Sequence, residues 1–318
     1  MSMRILFALA LLAIGNLAAA QNQNTRVLMD TDRGPLLVEL DLVRAPNTSA
    51  NFLRYVDSGA YNNSLLHRLV PNFIVQGGGF SANGTEITRL APVNSERNNG
   101  LLNIPGTISM ALAGSPPQIN SATSDFFFNI ATNSGLDANF TVFGRLVFGQ
   151  KTLATLAANP VFSGSEQPIR MPLIKRAVRV APGEFPILPL HTGTWYDPAN
   201  SGRGFLIEVA QDTGVETTPR MVVTWYDFFE GKQIWMIGTV PFTWGASSVE
   251  VPMQISTGAQ FGAAFLPSQI TANPNWGRLT IRFTGCSAGT FTYTSIYGNG
   301  SIPATSLTLP TNETCIGG

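Results

Sequence analysis

LLHRLVPNFIVQGGGF, Leu65 to Phe80, is the stretch on which the reading of this chain turns. It reads as a hydrophobic strand, yet it carries His67 and Arg68 side by side and ends in Gly77, Gly78 and Gly79. The glycines are no phosphate loop: the GxxxxGK[ST] pattern is absent and no helix start follows. Glycines at that position let the chain bulge or turn sharply where a side chain would not fit. Taken alone, His67 reads as a structural histidine and Arg68 as an edge residue reaching solvent.

Working outward, 318 residues exceed one typical domain, which sets an expectation of two. The chain is 44% hydrophobic and 12% charged, enough apolar material for sizeable cores. Its 19 basic and 19 acidic residues cancel. No basic stretch is present to track a phosphate backbone, so nucleic acid is not expected as a partner. The N-terminus MSMRILFALALLAIGNLAAAQNQ has the parts of an export signal: Arg4, an apolar core from Ile5 to Ile14, and Ala18-Ala19-Ala20 before Gln21. A membrane span needs about 20 apolar residues, more than this core offers. Residues 1–20 are therefore expected to be a Sec-type signal peptide, leaving a periplasmic or secreted protein with no membrane attachment after cleavage. In such a compartment the two cysteines, Cys286 and Cys315, are expected to pair, two free buried thiols being the alternative. The two histidines, His67 and His191, lie far from each other and from the cysteines, without metal-ligand spacing. Histidine scarcity also leaves little room for Ser-His or Cys-His nucleophilic chemistry. No metal or cofactor is expected.

APGEFPILPL, Ala181 to Leu190, holds three prolines and marks a boundary. All five tryptophans (Trp195, Trp225, Trp235, Trp244, Trp276) and both cysteines follow it. Before it, Val27–Thr31 and Pro35–Leu40 read as a hairpin around Asp32-Arg33-Gly34. APNTSANFLRYVDSGAY reads as a helix entered through Pro46, with Asn47 and Thr48 as cap candidates, and GQKTLATLAANP as a second, stopped at Pro160. Strands such as GTISMALA, SDFFFNIA and TVFGRLVF lie between the two helices. After the boundary only strand patterns occur. MVVTWYDFFEGKQIWMIGTV reads as two strands around Glu230-Gly231, while RLTIRFTG and GTFTYTSIYG alternate apolar and polar residues. Trp195-Tyr196-Asp197 recurs as Trp225-Tyr226-Asp227. The tryptophans read as core, with a binding platform for sugars or peptides as the alternative.

Several blocks in order give residues 26–180 a resemblance to the cyclophilin family of peptidyl-prolyl isomerases. They are Asp32-Arg33-Gly34, Ala45-Pro46…Asn51-Phe52, Tyr61-Asn62-Asn63-Ser64 leading into the opening stretch, Gly106-Thr107-Ile108-Ser109-Met110-Ala111, Ser124-Asp125-Phe126-Phe127, Leu136-Asp137 and Thr141-Val142-Phe143-Gly144-Arg145. The resemblance implies a mainly β fold: an eight-stranded antiparallel barrel with two capping helices, followed here by a smaller all-β domain. The expected division is a signal peptide at 1–20, a cyclophilin-like domain at 24–182, a Pro-rich linker at 183–190 and an all-β accessory domain at 191–318.

The chemistry such a family performs is undemanding in reagents. An X-Pro bond is willing to be cis, but rotation faces a barrier near 18–20 kcal/mol and takes tens of seconds unaided. Twisting the bond breaks amide resonance and exposes the proline nitrogen lone pair. A catalyst needs an apolar pocket for the ring and a donor aimed at the twisted amide, which is differential binding of the transition state. The resemblance assigns a catalytic set of three: Arg68 as donor, Gln76 as the neighbour that positions it, and Phe73, which also lines the proline pocket. Ile74, Phe127, Leu136 and Phe140 line the proline pocket on this reading, and Ala111, Leu112 and Ala113 run along the substrate backbone. Proline-containing polypeptides are the implied clients.

Some positions depart from the family pattern. Leu112 stands where asparagine is common, so a polar side chain is lost while main-chain contact can persist. Asp125 replaces the usual glutamine, and a carboxylate there is expected close enough to Arg68 to hold it or occupy its donors. Gly135 replaces a frequent tryptophan and Phe140 a histidine or tyrosine. GTWYDPANSGRGFLIEVA, Gly193 to Ala210, resembles a motif of secreted bacterial proteins, as does GRLTIRFTGCSAGTFTYT with its distant cysteine. That likeness implies a bacterial source and supports the disulfide. A surface or glycan ligand is the partner it leaves open for the second domain.

Overall fold

The structure, a computed structural model, describes residues 25–211, 218–260, 262–310 and 314–316. The expected signal peptide at 1–20 lies outside the described residues. The described chain forms two compact units. One is built from residues 25–27, Val38–Leu146 and Asn159–Gly183, the other from Leu28–Leu37, Val147–Ala158 and the chain from Glu184 onward.

Among the described residues the fold is mainly β with two α-helices, as expected. Nine strands precede the proline-rich boundary: β1 (Arg26–Thr31), β2 (Gly34–Leu40), β3 (Ser64–Leu65), β4 (Arg68–Val70), β5 (Ile74–Gly77), β6 (Thr107–Met110), β7 (Phe126–Asn129), β8 (Val142–Phe148) and β9 (Leu173–Arg179). They form one sheet in the order β3-β9-β1-β2-β8-β6-β7-β5-β4. Its two edges are the two halves of a single segment: only Leu66 and His67 separate β3, which pairs with β9, from β4, which pairs with β5. The sheet must therefore curl until its ends meet, and closure comes from chain continuity. Counting β3 and β4 as one strand returns the eight expected.

Helix α1 spans Pro46–Asp57, with Pro46 in the first turn, where its missing N–H costs nothing. Asn47 and Thr48 are not its caps. They lie inside the helix, and Ala45 takes the cap position without a side-chain bond. The free N–H groups instead meet Glu96 from a distant loop, which accepts from Asn47 N at 3.1 Å and Thr48 N at 2.9 Å, and from both side chains. A carboxylate there satisfies orphan donors and complements the helix dipole. On its buried side α1 sets Phe52 against Tyr61, Phe126 and Phe143, ring centres 5.1–5.6 Å apart. Each such side chain contributes roughly 1.5–3 kcal/mol through burial. The second helix, α2, covers Gln150–Ala157.

After the boundary, eight strands close into an antiparallel barrel: β10 (Gly193–Tyr196), β11 (Gly204–Gln211), β12 (Pro219–Phe229), β13 (Lys232–Pro241), β14 (Ser248–Gly258), β15 (Ile270–Phe283), β16 (Ala288–Ser295) and β17 (Gly298–Ser306). Glu230 and Gly231 both have positive φ, 51° and 74°, the geometry of a two-residue type I′ hairpin turn. Period-2 alternation puts Met221, Val223 and Trp225 inside β12. Trp195, Trp225, Trp244 and Trp276 are core, whereas Trp235 is 47% exposed beside its cross-strand partner Tyr226. The WYD sequence at 195–197 makes a locked turn: Asp197 accepts from Ala199 N, Asn200 Nδ2 and Arg203 Nη2 at 2.7–3.0 Å. These bonds, Arg203 foremost, hold its carboxyl below the usual range. Cys286 and Cys315 are joined in a disulfide.

Within 183–190, Phe185, Ile187, Leu188 and Leu190 are buried, and Ile187 N donates to Ala246 O at 2.8 Å. His191 follows them, wholly buried and stacked on Phe283 with ring centres 3.6 Å apart. Its Nδ1 accepts from Leu188 N at 3.1 Å and its Nε2 lies 3.2 Å from Gly285 O, so the proton sits on Nε2. Burial drives its pKa down to about 3 against the opposing effect of the Gly285 bond.

Candidate active site

The antiparallel register of four strands lines up one row of residues. Arg68 on β4 pairs with Gln76 on β5, Gln76 with Phe127 on β7, and Phe127 with Ser109 on β6. Directly paired residues point to the same face of a sheet. A polar donor, its neighbour and an apolar ring therefore share one surface. Arg68 Nη1 donates to Gln76 Oε1 at 2.9 Å. Two residues before Gln76, Ile74 lies on that same face and is buried, as is Phe127.

The rest of the apolar wall comes from the loop after β7. Phe140 meets Phe127 edge to face, ring centres 5.6 Å apart, and its N–H donates to Leu136 O at 2.9 Å. Phe73 sits in the turn before β5, with its carbonyl accepting from Ile130 N and Asn133 Nδ2. Phe73, Leu136 and Phe140 are half-buried, whereas Phe127 and Ile74 are buried. The loop is fixed by a buried amide network that sequence reasoning missed. Asn133 Nδ2 donates to Asn129 Oδ1 at 2.8 Å, and Asn129 Nδ2 and Ser109 Oγ both donate to Asn103 Oδ1. Asn103 in turn donates twice to Asp137. Fully satisfied networks of this kind hold one geometry.

Ala111, Leu112 and Ala113 continue past the end of β6 as irregular chain. Ala111 N donates to Asp125 O at 2.9 Å and Ala113 N to Ser121 Oγ at 2.8 Å. Among the described residues, the N–H and C=O of Leu112 make no hydrogen bond.

Asp125 does not do what the sequence reading expected of it. Its charged partner is Arg89, Nη2 to Oδ2 at 3.6 Å, and the His67 ring faces it, Nε2 to Oδ1 at 3.8 Å. The glycine run explains the redirection. Gly78 has φ +85°, and a Cβ there would lie 2.3 Å from Ser124 O. A Cβ on Gly79 would lie 2.7 Å from Asp125 Oδ1 and 2.9 Å from His67. Only bare glycine lets the carboxylate and imidazole approach across that point. Burial lowers the His67 pKa, with the Asp125 charge opposing.

Arg68 is held instead by Glu166, whose Oε2 lies 2.5 Å from Arg68 Nε. Nothing in the sequence near either residue signals this pair, 98 positions apart. A guanidinium has five N–H groups. Gln76 and Glu166 take one each, which leaves both N–H of Nη2 and one of Nη1 without a partner among the described residues.

Residues 26–179 match the family described as cyclophilin type peptidyl-prolyl cis-trans isomerase/CLD. A peptidyl-prolyl cis-trans isomerase of Acinetobacter baylyi is 41% identical over 142 residues, covering 43% of this chain and 74% of the relative. Peptidyl-prolyl cis-trans isomerase A of Dickeya dadantii is 44% identical over 133 residues, covering 42% and 68%. A crystal structure of a cyclophilin type peptidyl-prolyl cis-trans isomerase from Cryptosporidium parvum, in the presence of the dipeptide Ala-Pro, is 31% identical, covers 48% of this chain and 97% of its own, and has a TM-score of 0.42.

Proposed function

This chain belongs to the cyclophilin-type peptidyl-prolyl cis-trans isomerase family, and from that premise we propose that it accelerates X-Pro rotation in proline-containing polypeptides at the face shared by β4, β5 and β7. The observation that carries the reading is the row Arg68–Gln76–Phe127, a charged donor set beside an apolar floor. The proline ring packs against Phe127 and Phe140, with Phe73 and Leu136 around it. Leu112 offers its main chain to the peptide backbone. As the bond twists, the proline nitrogen gains a lone pair, and Arg68 donates to the twisted amide more strongly than to the planar one. Gln76 orients Arg68 and takes no proton.

The finer reading is a folding catalyst working outside the cytoplasm. The export signal expected at 1–20 and the Cys286–Cys315 bridge support that location. The β10–β17 barrel would then act as an accessory that engages a client or a surface ligand. The test is a proline-limited refolding reaction run with the full chain and with Arg68→Ala. Acceleration by the wild type alone supports the reading. Peptide binding without acceleration would make the domain a non-catalytic module. Fractionation of the native host would place the mature chain outside the cytoplasm if the export reading holds.

A further inference from the structure

The geometry points to Glu166 as a positioning residue for the isomerase reaction, acting through Arg68; the inference rests on the isomerase reading above. Arg68 lies on the edge strand β4 and is 36% exposed through its side chain. A long, partly exposed side chain has several rotamers, and one bond to Gln76 leaves the guanidinium free to swing about that contact. Glu166 adds a second contact on a different nitrogen. With Nε held by Glu166 and Nη1 by Gln76, the plane of the guanidinium is set and Nη2 is left to the substrate.

Glu166 is itself placed in advance. Its carbonyl accepts from Leu69 N at 2.7 Å, so the 160–168 loop is docked on the residue next to Arg68. The loop is closed by Phe162 N to Gln167 O and Ser165 N to Phe162 O, both at 3.0 Å, and by a bridge between Val161 and Pro168. Gln167 N also donates to Ser165 Oγ at 3.0 Å. The carboxylate therefore reaches Arg68 from a braced loop, and the hold costs little entropy when substrate arrives. Glu166 is 53% exposed, so the contact is screened by salt and modest in size.

The test is a double-mutant cycle in the full-length protein: wild type, Glu166→Ala, Arg68→Ala and the pair, assayed by kcat/KM on an uncharged X-Pro peptide. Glu166→Ala is expected to lower kcat/KM about three-fold at low salt, by about 0.6 kcal/mol at 1.36 kcal/mol per decade. In the Arg68→Ala background it is expected to do nothing, and Glu166→Gln, which keeps an acceptor, to recover most of the loss. An equal effect of Glu166→Ala in both backgrounds would overturn the inference, because it would show a structural role for the loop. The Arg68 Nε–H resonance gives a readout independent of turnover. It is expected to shift and to exchange faster in Glu166→Ala. An unchanged resonance overturns the inference even if the wild type is inactive, whereas a changed resonance in an inactive wild type sustains the contact and removes only the isomerase reading.

Discussion

Acid should unfold the C-terminal barrel through one residue, His191. In the folded chain its imidazole is wholly buried, stacked on Phe283, with Nδ1 committed as acceptor to Leu188 N. Protonation would have to expel that N–H and charge a wholly buried ring, so its pKa falls to about 3. In the unfolded chain the same ring titrates near 6.5. The folded-state value is the lower one, so the unfolded chain binds the extra proton first. Stability is therefore full above about pH 6.5 and is lost as pH falls toward 3. Between pH 7 and pH 5 the linkage amounts to about 2 kcal/mol. Stopping at pH 5 keeps the change above the range where ordinary carboxylates titrate. All five tryptophans lie between Trp195 and Trp276, so intrinsic fluorescence follows this barrel alone. Urea unfolding read by tryptophan emission should show a midpoint about 1 M lower at pH 5 than at pH 7, for a slope near 2 kcal/mol per M. His191→Gln should be less stable at both values but nearly flat between them. The same pH slope in wild type and His191→Gln would refute the reasoning.

Glu96→Gln leaves the α1 N–H groups a weaker acceptor, and Glu96→Ala leaves them none. The alanine variant should lose about 1–2 kcal/mol, measured by far-ultraviolet circular dichroism, which reports α1. Asp125→Gln restores the residue usual in the family but removes the charge facing His67 and Arg89. Because Asp125 raises the His67 pKa, the variant should lower it further in an NMR titration, while isomerase activity changes less than two-fold. A large gain of activity would mean that Asp125, rather than Glu166, restrains Arg68.

The sequence was most informative where function depends on strand register and least where it depends on loops meeting across the fold. Arg68, Gln76 and Phe127 were legible because each sits in a block that resembles the family, and antiparallel pairing then sets them in one row. Pro46 and Gly59 marked α1 because proline and glycine have fixed meanings at helix ends. Its cap was hidden: Glu96 lies 48 positions from Thr48, and local rules favour the nearer Asn47 and Thr48. Glu166 was hidden for the same reason. Asp125 was misplaced because it precedes β7, where strand alternation no longer dictates direction and Gly78 and Gly79 open another path. The two-residue gap at Leu66 and His67 was equally silent, although it makes one segment supply both edges of the sheet.

The central claim is that Arg68 stabilises the twisted amide. The direct measurement is kcat/KM for an X-Pro peptide, followed by NMR exchange spectroscopy, for the wild type beside Arg68→Ala of unchanged circular dichroism. Loss of one charge-assisted bond of roughly 1.5–3 kcal/mol predicts a fall of about 10- to 150-fold. Equal rates in the two proteins would contradict the claim.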